Sequence, residues 1–271
     1  MLTNPTPLHC LIISAGIAGL TATLALLRSG HHITILEKSH YLTETGAALG
    51  LGPNASSLPI DLGWDRASSG AIAVRGLTSI DGETGEPRAQ MDLEEFAKRW
   101  KSPWLSVHGV DLHRELRKLG ESAEGLGREG DVVRKDVVPE ARLSPAGKRC
   151  YRWLVERERL MADSGTMFLT EEEGYMKHVA GPEGKFVMYH CRKNTMFKFA
   201  VLLPDDEMDA EGDDLYRQGN ERTVLSRRST FAPPTRKLLS LAGEDLKVWQ
   251  LVDMAPLFDS GRSVRNAECL S

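Results

Sequence analysis

The chain has 271 residues, 41% hydrophobic and 27% charged, with a formal net charge of −4. That is the make-up of a globular protein of one large or two modest domains, and the mild negative balance gives no reason to expect nucleic acid as a partner. Its four cysteines are scattered without a CxxC pair and its eight histidines form no metal-binding pattern, so free thiols, a reducing cytoplasmic compartment and no metal site are expected.

Residues 1–8 are a short leader with Pro5 and Pro7. His9–Ile13 is an unbroken apolar run, the pattern of a strand buried on both faces. A turn of small residues, Ser14 to Gly19, follows. Leu20 to Ser29 then reads as a helix with Leu20, Leu24 and Leu27 on one stripe, and Gly30 is placed to end it in the left-handed conformation. Ile33–Leu36 is a second strand, and it ends on Glu37.

This βαβ order is that of a dinucleotide-binding unit. Gly16 lets backbone approach a pyrophosphate at the start of the helix, where free N–H groups and a partial positive charge gather. Gly19 lets helix and strand pack closely, and Glu37, 18 residues beyond it, is spaced to accept hydrogen bonds from an adenosine ribose. The first glycine of the G-x-G-x-x-G pattern is Ser14 here. The plainer reading is an ordinary βαβ unit that binds nothing. Leu8 to Leu27 has the hydropathy of a membrane segment, but no Lys or Arg precedes it and glycines interrupt it, so it is read as soluble.

Gly46 to Asn54 crowds small residues, as in a backbone that passes a flat or phosphate-bearing ligand or, equally, a loop rich in turn residues. A short helix and turn are expected over 54–64, a strand over 71–80, and a hairpin turn at Asp81-Gly82 and Thr84-Gly85. Residues 107–119 predict a helix with Asp111 as N-cap and Leu112, Leu116 and Leu119 on one face. Gly120–Asp131 reads as a linker, and 204–214 as an acidic surface loop. Strands are expected at 150–155, 185–191, 196–203 and 247–253, and a helix at 231–241. The fold class is α/β: a Rossmann-like unit over 1–131, a sheet-rich domain over 132–230, and a return segment to the first unit over 231–271.

Several of these blocks resemble the FAD-dependent aromatic-ring monooxygenases, the family of para-hydroxybenzoate and salicylate hydroxylases, and in particular their fungal salicylate-hydroxylase-like members. The blocks are the opening βαβ with Glu37-Lys38, the stretch Gly46–Asn54, VHGVDLHREL over 107–116, Cys150–Leu154, Val187–Asn194, and Val248–Leu251 with Pro256-Leu257. The resemblance implies that FAD lies extended with its adenosine on the βαβ unit and its ring between two domains. It implies that NAD(P)H visits as a transient reductant, and that O2 supplies the oxygen inserted into a small aromatic or polyketide-derived phenol, as in secondary metabolism. By the same resemblance Glu37 binds ribose, Gly50 lies against the cofactor, and Arg152 and Tyr189 face the substrate, a cation and a phenol suited to orienting a phenolate. The bland alternative for the last two is an arginine and a tyrosine on a sheet surface.

The chain departs from the family at defined places. Gly109 stands where relatives carry an arginine that reaches the flavin, and glycine cannot replace its charge. A strand pair and an Asp-Gly motif expected after Leu119 are missing, with Gly120–Asp131 leading straight into Val132–Lys135. After Gly261-Arg262 the Gly-Asp motif that holds the ribityl chain is absent. These departures motivate a second reading, a non-catalytic remnant or partner-binding protein.

Overall fold

The computed structural model describes residues 6–37, 48–120, 143–182, 184–205, 216–226, 230–243 and 246–254. Strand β1 (His9–Ile13) and β2 (His32–Leu36) pair in parallel, His9 opposite His32 and Ile13 opposite Leu36. Helix α1 (Ile17–Arg28) makes the crossover and buries Leu20, Thr23 and Leu24. Gly30 follows it at φ +83°, as its position beyond an apolar helix predicts.

One expectation fails here. β1 is not buried on both faces: Leu11 is 59% and Ile13 48% exposed. Among the described residues β1 has only β2 beside it, so its apolar side chains lack the neighbours that a wider parallel sheet supplies.

A three-stranded antiparallel sheet comes next, with β7 (Leu105–His108) between β3 (Ala48–Leu51) and β4 (Ile72–Ala73). Ala48–Leu51 of the small-residue stretch is thus strand β3, Pro53 and Asn54 open the next helix, and Gly46 and Ala47 lie outside the described residues. Helix α2 (Pro53–Asp61) starts on a proline, whose fixed φ suits the first turn. Helix α4 (Gly109–Gly120) packs on α1 and buries Leu112 and Leu116 completely. The structure corrects the expected N-cap: the helix already begins at Gly109, and Asp111 sits inside its first turn, where an acid also complements the dipole. Leu20, Leu24, Ile33, Ile35, Trp64, Leu105 and Val107 complete this core with the two α4 leucines.

The second layer is an eight-stranded sheet. Its order is β12 (Tyr216–Gln218), β13 (Lys247–Met254), β8 (Leu143–Glu156), β11 (Met196–Pro204), β10 (Gly184–Cys191), β9 (Tyr175–Gly181), β5 (Gly76–Asp81), β6 (Pro87–Asp92). Every pairing is antiparallel except β5 with β9. The strand expected over 71–80 is in fact two, β4 in one sheet and β5 in the other. The chain crosses between sheets where Arg75 donates to the Gly174 carbonyl, and Gly76 has no room for a side chain, since a Cβ would lie 2.2 Å from the Tyr175 ring. The turn after β5 forms as predicted: the Asp81 carboxylate caps the amides of Glu83 and Thr84, and Gly85 takes φ +78°.

Side chains alternate across this sheet. One face carries Tyr151, Trp153, Val155, Phe186, Met188, Phe197, Phe199 and Val201, packed with Leu238 and Leu239 of α8 (Pro233–Leu239). Trp153 stacks on Phe199 with centroids 5.1 Å apart. Four short helices complete the described elements: α3 (Glu94–Ala97), α5 (Arg157–Met161), α6 (Ser164–Met167) and α7 (Glu221–Ser226). α8 and β13 lie with the large sheet, because Leu238, Leu239 and Val248 belong to its core, and ahead of α8 the Ala232 amide donates to the Gly82 carbonyl of the first stretch. The expected linker beyond Gly120, nearly all of the acidic loop and the stretch around Gly261-Arg262 lie outside the described residues.

Candidate active site

The candidate residues fall into two groups, with β3 beside the second. The first surrounds the turn between β1 and α1. Ser14, standing where a glycine is the rule, holds φ +87°, a conformation that costs a residue with a Cβ about 1–2 kcal/mol. Its amide donates to the Leu36 carbonyl at 2.7 Å, and its hydroxyl accepts from the Gly16 amide at 3.2 Å. Gly19 is required: a Cβ there would lie 2.0 Å from the Ser14 carbonyl oxygen. Glu37, at the end of β2, takes the Ala15 amide on its Oε2 at 2.7 Å. His113 of α4 donates from Nε2 to the Ala15 carbonyl at 2.7 Å. That bond fixes the tautomer, because a carbonyl only accepts.

No side chain caps the start of α1, whose N-cap is Gly16 in extended conformation. A helix start built this way leaves its first amides for an anionic ligand. These residues fit a nucleotide pyrophosphate, with Glu37 beside the turn where a ribose would lie.

The second group lies on the face of the large sheet that turns away from the aromatic core. Register places Tyr189 opposite Lys198 and Arg152 opposite Ala200, so Arg152 and Tyr189 flank β11 on one face. Arg152 rests over the Trp249 ring, its guanidinium carbon 4.7 Å from the centroid, and its Nε lies 3.2 Å from the Cys150 sulfur. Tyr189 is buried. Its hydroxyl donates to the Ala48 carbonyl at 2.7 Å and accepts from the Lys198 ammonium at 2.9 Å, while Lys198 also donates to Ala48 at 2.8 Å. Burial, first of all, lifts the Tyr189 phenol well above its ordinary range. Burial, with the nearby Arg152 charge second, brings Lys198 down to about 8.

Gly50 lies on β3 two residues beyond Ala48, whose carbonyl this group binds. A Cβ there would sit 3.4 Å from the Met176 terminal carbon and 3.6 Å from the Trp104 indole nitrogen, ordinary contact distances, so protein packing alone does not demand a glycine. That indole N–H is itself buried without a hydrogen-bond partner. More contacts tie the sheets: Ser106 donates its hydroxyl to the His190 carbonyl, the Lys193 amide donates to Gly70, and Arg192 Nε meets Asp111 Oδ2 at 2.9 Å. Arg192, Lys193 and Asn194 form the β10–β11 turn, all at positive φ.

Sequence reasoning missed two residues that touch the candidate site, Lys198 and His113. Lys198 carried one usable signal: in MFKFAVL it alternates with Phe197 and Phe199, which places it on the face opposite the core. His113 carried none, since its partner is 98 residues away.

No protein-family model matches the chain. Among curated proteins it is 34% identical over 296 residues to 3-hydroxybenzoate 6-hydroxylase of Polaromonas naphthalenivorans, covering 94% of this chain and 70% of that protein. It is 28% identical over 297 residues to the FAD-dependent monooxygenase cfoG of Aspergillus candidus, covering 92% and 68%. Among solved structures it superposes on CtdE in complex with FAD and a substrate with a TM-score of 0.77 at 17% identity, over 93% of this chain and 70% of that one. The match spans about two thirds or slightly more of each relative's length. No helix among the described residues is long and apolar enough to cross a membrane.

Proposed function

The chain belongs to the FAD-dependent monooxygenases, and from that premise we propose that it binds FAD and hydroxylates a small aromatic or polyketide-derived phenol, using NAD(P)H and O2. When bound and reduced, FAD supplies the activation of O2 that puts one oxygen atom on the ring and releases the other as water. The protein's task is to hold, orient and shield.

In this reading the uncapped start of α1 at Gly16 receives the pyrophosphate, and Gly19 keeps the helix close enough to do so. Glu37 accepts hydrogen bonds from the ribose, and Gly50 leaves β3 bare beside the ring system. Arg152, already oriented by its stack on Trp249, binds the oxygen of a phenolate. A planar guanidinium offers such an oxygen several N–H donors in a fixed fork. Tyr189 contributes from the same face. The division into a cofactor unit over 1–131, a substrate unit over 132–230 and a return segment over 231–271 is part of the proposal, with β5 and β6 of the first stretch and β13 of the last joined to the large sheet.

The observation that carries the reading is the pairing of a glycine turn held at both the amide and the carbonyl of Ala15 with a sheet face bearing Arg152, Tyr189 and Lys198, the last two bonded to the Ala48 carbonyl of β3. Titration of the purified chain with FAD, followed by flavin fluorescence, is the test. Saturable binding, then NAD(P)H oxidation stimulated by phenols, is expected. A chain that takes up no FAD would sink the reading and return the second one, a non-catalytic protein.

A further inference from the structure

Lys198 lies mid-strand on β11 and is 7% exposed. Among the described residues its ammonium has no carboxylate partner; its hydrogens go to two neutral oxygens, the Ala48 carbonyl and the Tyr189 hydroxyl. The charged and titratable groups that bear on it, Arg152 and Cys150 from β8 and Cys191 from β10, include no anion that would offset the cost of burying the ammonium. A buried cation without a counter-charge is an expensive way to fill a core position, and an apolar side chain would cost less. Its retention here therefore asks for a task other than stability.

The geometry supplies one. Ala48 opens β3 and pairs with His108 of β7, so the carbonyl that Lys198 and Tyr189 share belongs to the strand carrying Gly50. The Tyr189 hydroxyl cannot turn: its hydrogen is committed to Ala48 and a lone pair to Lys198. Three contacts, all between 2.7 and 2.9 Å, close a triangle linking β10, β11 and β3.

We infer that Lys198 is a positioning residue, which clamps β3 to the Tyr189 side of the large sheet and thereby fixes where Gly50, two residues beyond Ala48, lies against that face. The inference rests on the monooxygenase reading only for the cofactor that Gly50 would lie against; the clamp itself stands on the three contacts.

Hydrogen–deuterium exchange across Ala48–Leu51 in the full chain tests it, with K198M, K198R and Y189F beside the parent. K198M is expected to exchange these amides about tenfold faster, the size of one charge-assisted hydrogen bond lost. Its unfolding temperature should stay level or rise, because a buried charge has gone. K198R, a permanent cation, restores slow exchange, and Y189F falls between. Unchanged exchange in K198M overturns the clamp. So does faster exchange everywhere with a lower unfolding temperature, which marks a merely structural residue, or a loss in K198R as large as in K198M. FAD titration of the same proteins separates the two ideas. A parent that takes no FAD overturns the monooxygenase reading and leaves the exchange data to decide the clamp. A parent that binds FAD about tenfold more tightly than K198M supports both.

Discussion

His113 Nε2 and the Ala15 carbonyl oxygen meet at 2.7 Å across 98 residues of sequence. Helix α4 thus grips the glycine turn at the carbonyl of Ala15 while Glu37 grips the amide of the same residue. Replacing the imidazole leaves the carbonyl unsatisfied in a part-buried setting, so H113A is expected to cost about 1–3 kcal/mol of stability. Urea denaturation measures it, and FAD titration of the same variant should show weaker binding.

Gly19 has no such tolerance. With a Cβ 2.0 Å from the Ser14 carbonyl oxygen, G19A must push α1 away from β1 or open the turn. We expect FAD affinity to fall at least tenfold, or about 1.4 kcal/mol, a change that fluorescence titration resolves.

Ser14 offers a comparison within one site. S14G and S14A both lose the hydroxyl that serves Gly16, but only alanine keeps a Cβ at φ +87°. S14G should therefore be the more stable of the two by about 1 kcal/mol. Equal midpoints in denaturant would mean the turn relaxes and stores no strain.

Lys198 gives a pH signature of unusual sign. Its folded value of about 8 lies below the ordinary 10.5, so between those pH values the unfolded chain binds more protons than the folded one. Stability from this group then rises with pH across that window, and the full penalty is felt below pH 8. At 1.36 kcal/mol per unit the span is about 3 kcal/mol, as an order of magnitude. The difference between parent and K198M stability curves isolates it from other groups, among them Cys191, which burial pushes up to about 12. A flat difference from pH 8 to 10.5 would show the ammonium to be better solvated than its burial implies.

Arg152 is the residue to alter for substrate. R152K keeps the charge but gives up the planar stack on Trp249, so a phenolic ligand should bind about tenfold more weakly while FAD affinity holds. Loss of FAD affinity alone would move Arg152 from the substrate to the cofactor.

Much of the framework was readable because its causes are local. The apolar runs at His9–Ile13 and Ile33–Leu36, the glycines around α1 and the Asp81 turn all act within a few residues of themselves, and β8, β10, β11 and β13 show as strand-like runs rich in β-branched and aromatic residues. β6 did not: Pro87–Asp92 is exposed at every position, so it offers no apolar pattern and exists by virtue of the turn before it. The break between β4 and β5 was hidden too, since Tyr175, which crowds Gly76, lies far along the chain. The same limit applies to the site. Arg152 and Tyr189 were named through resemblance, whereas the roles of Lys198 and His113 come from Ala48 and Ala15, contacts that no local window contains.

The crossing at Arg75-Gly76 bears on how this protein can be handled as a gene. The hairpin β5–β6 is encoded among the first 92 residues but pairs β9, in parallel, inside the large sheet. No single cut between residues 93 and 143 therefore yields two self-sufficient halves. A fragment ending at 120 would carry an orphan hairpin, and its complement would expose the bare edge of β9. The two units are woven rather than strung together, and domain-swap engineering has to move the hairpin with the later fragment.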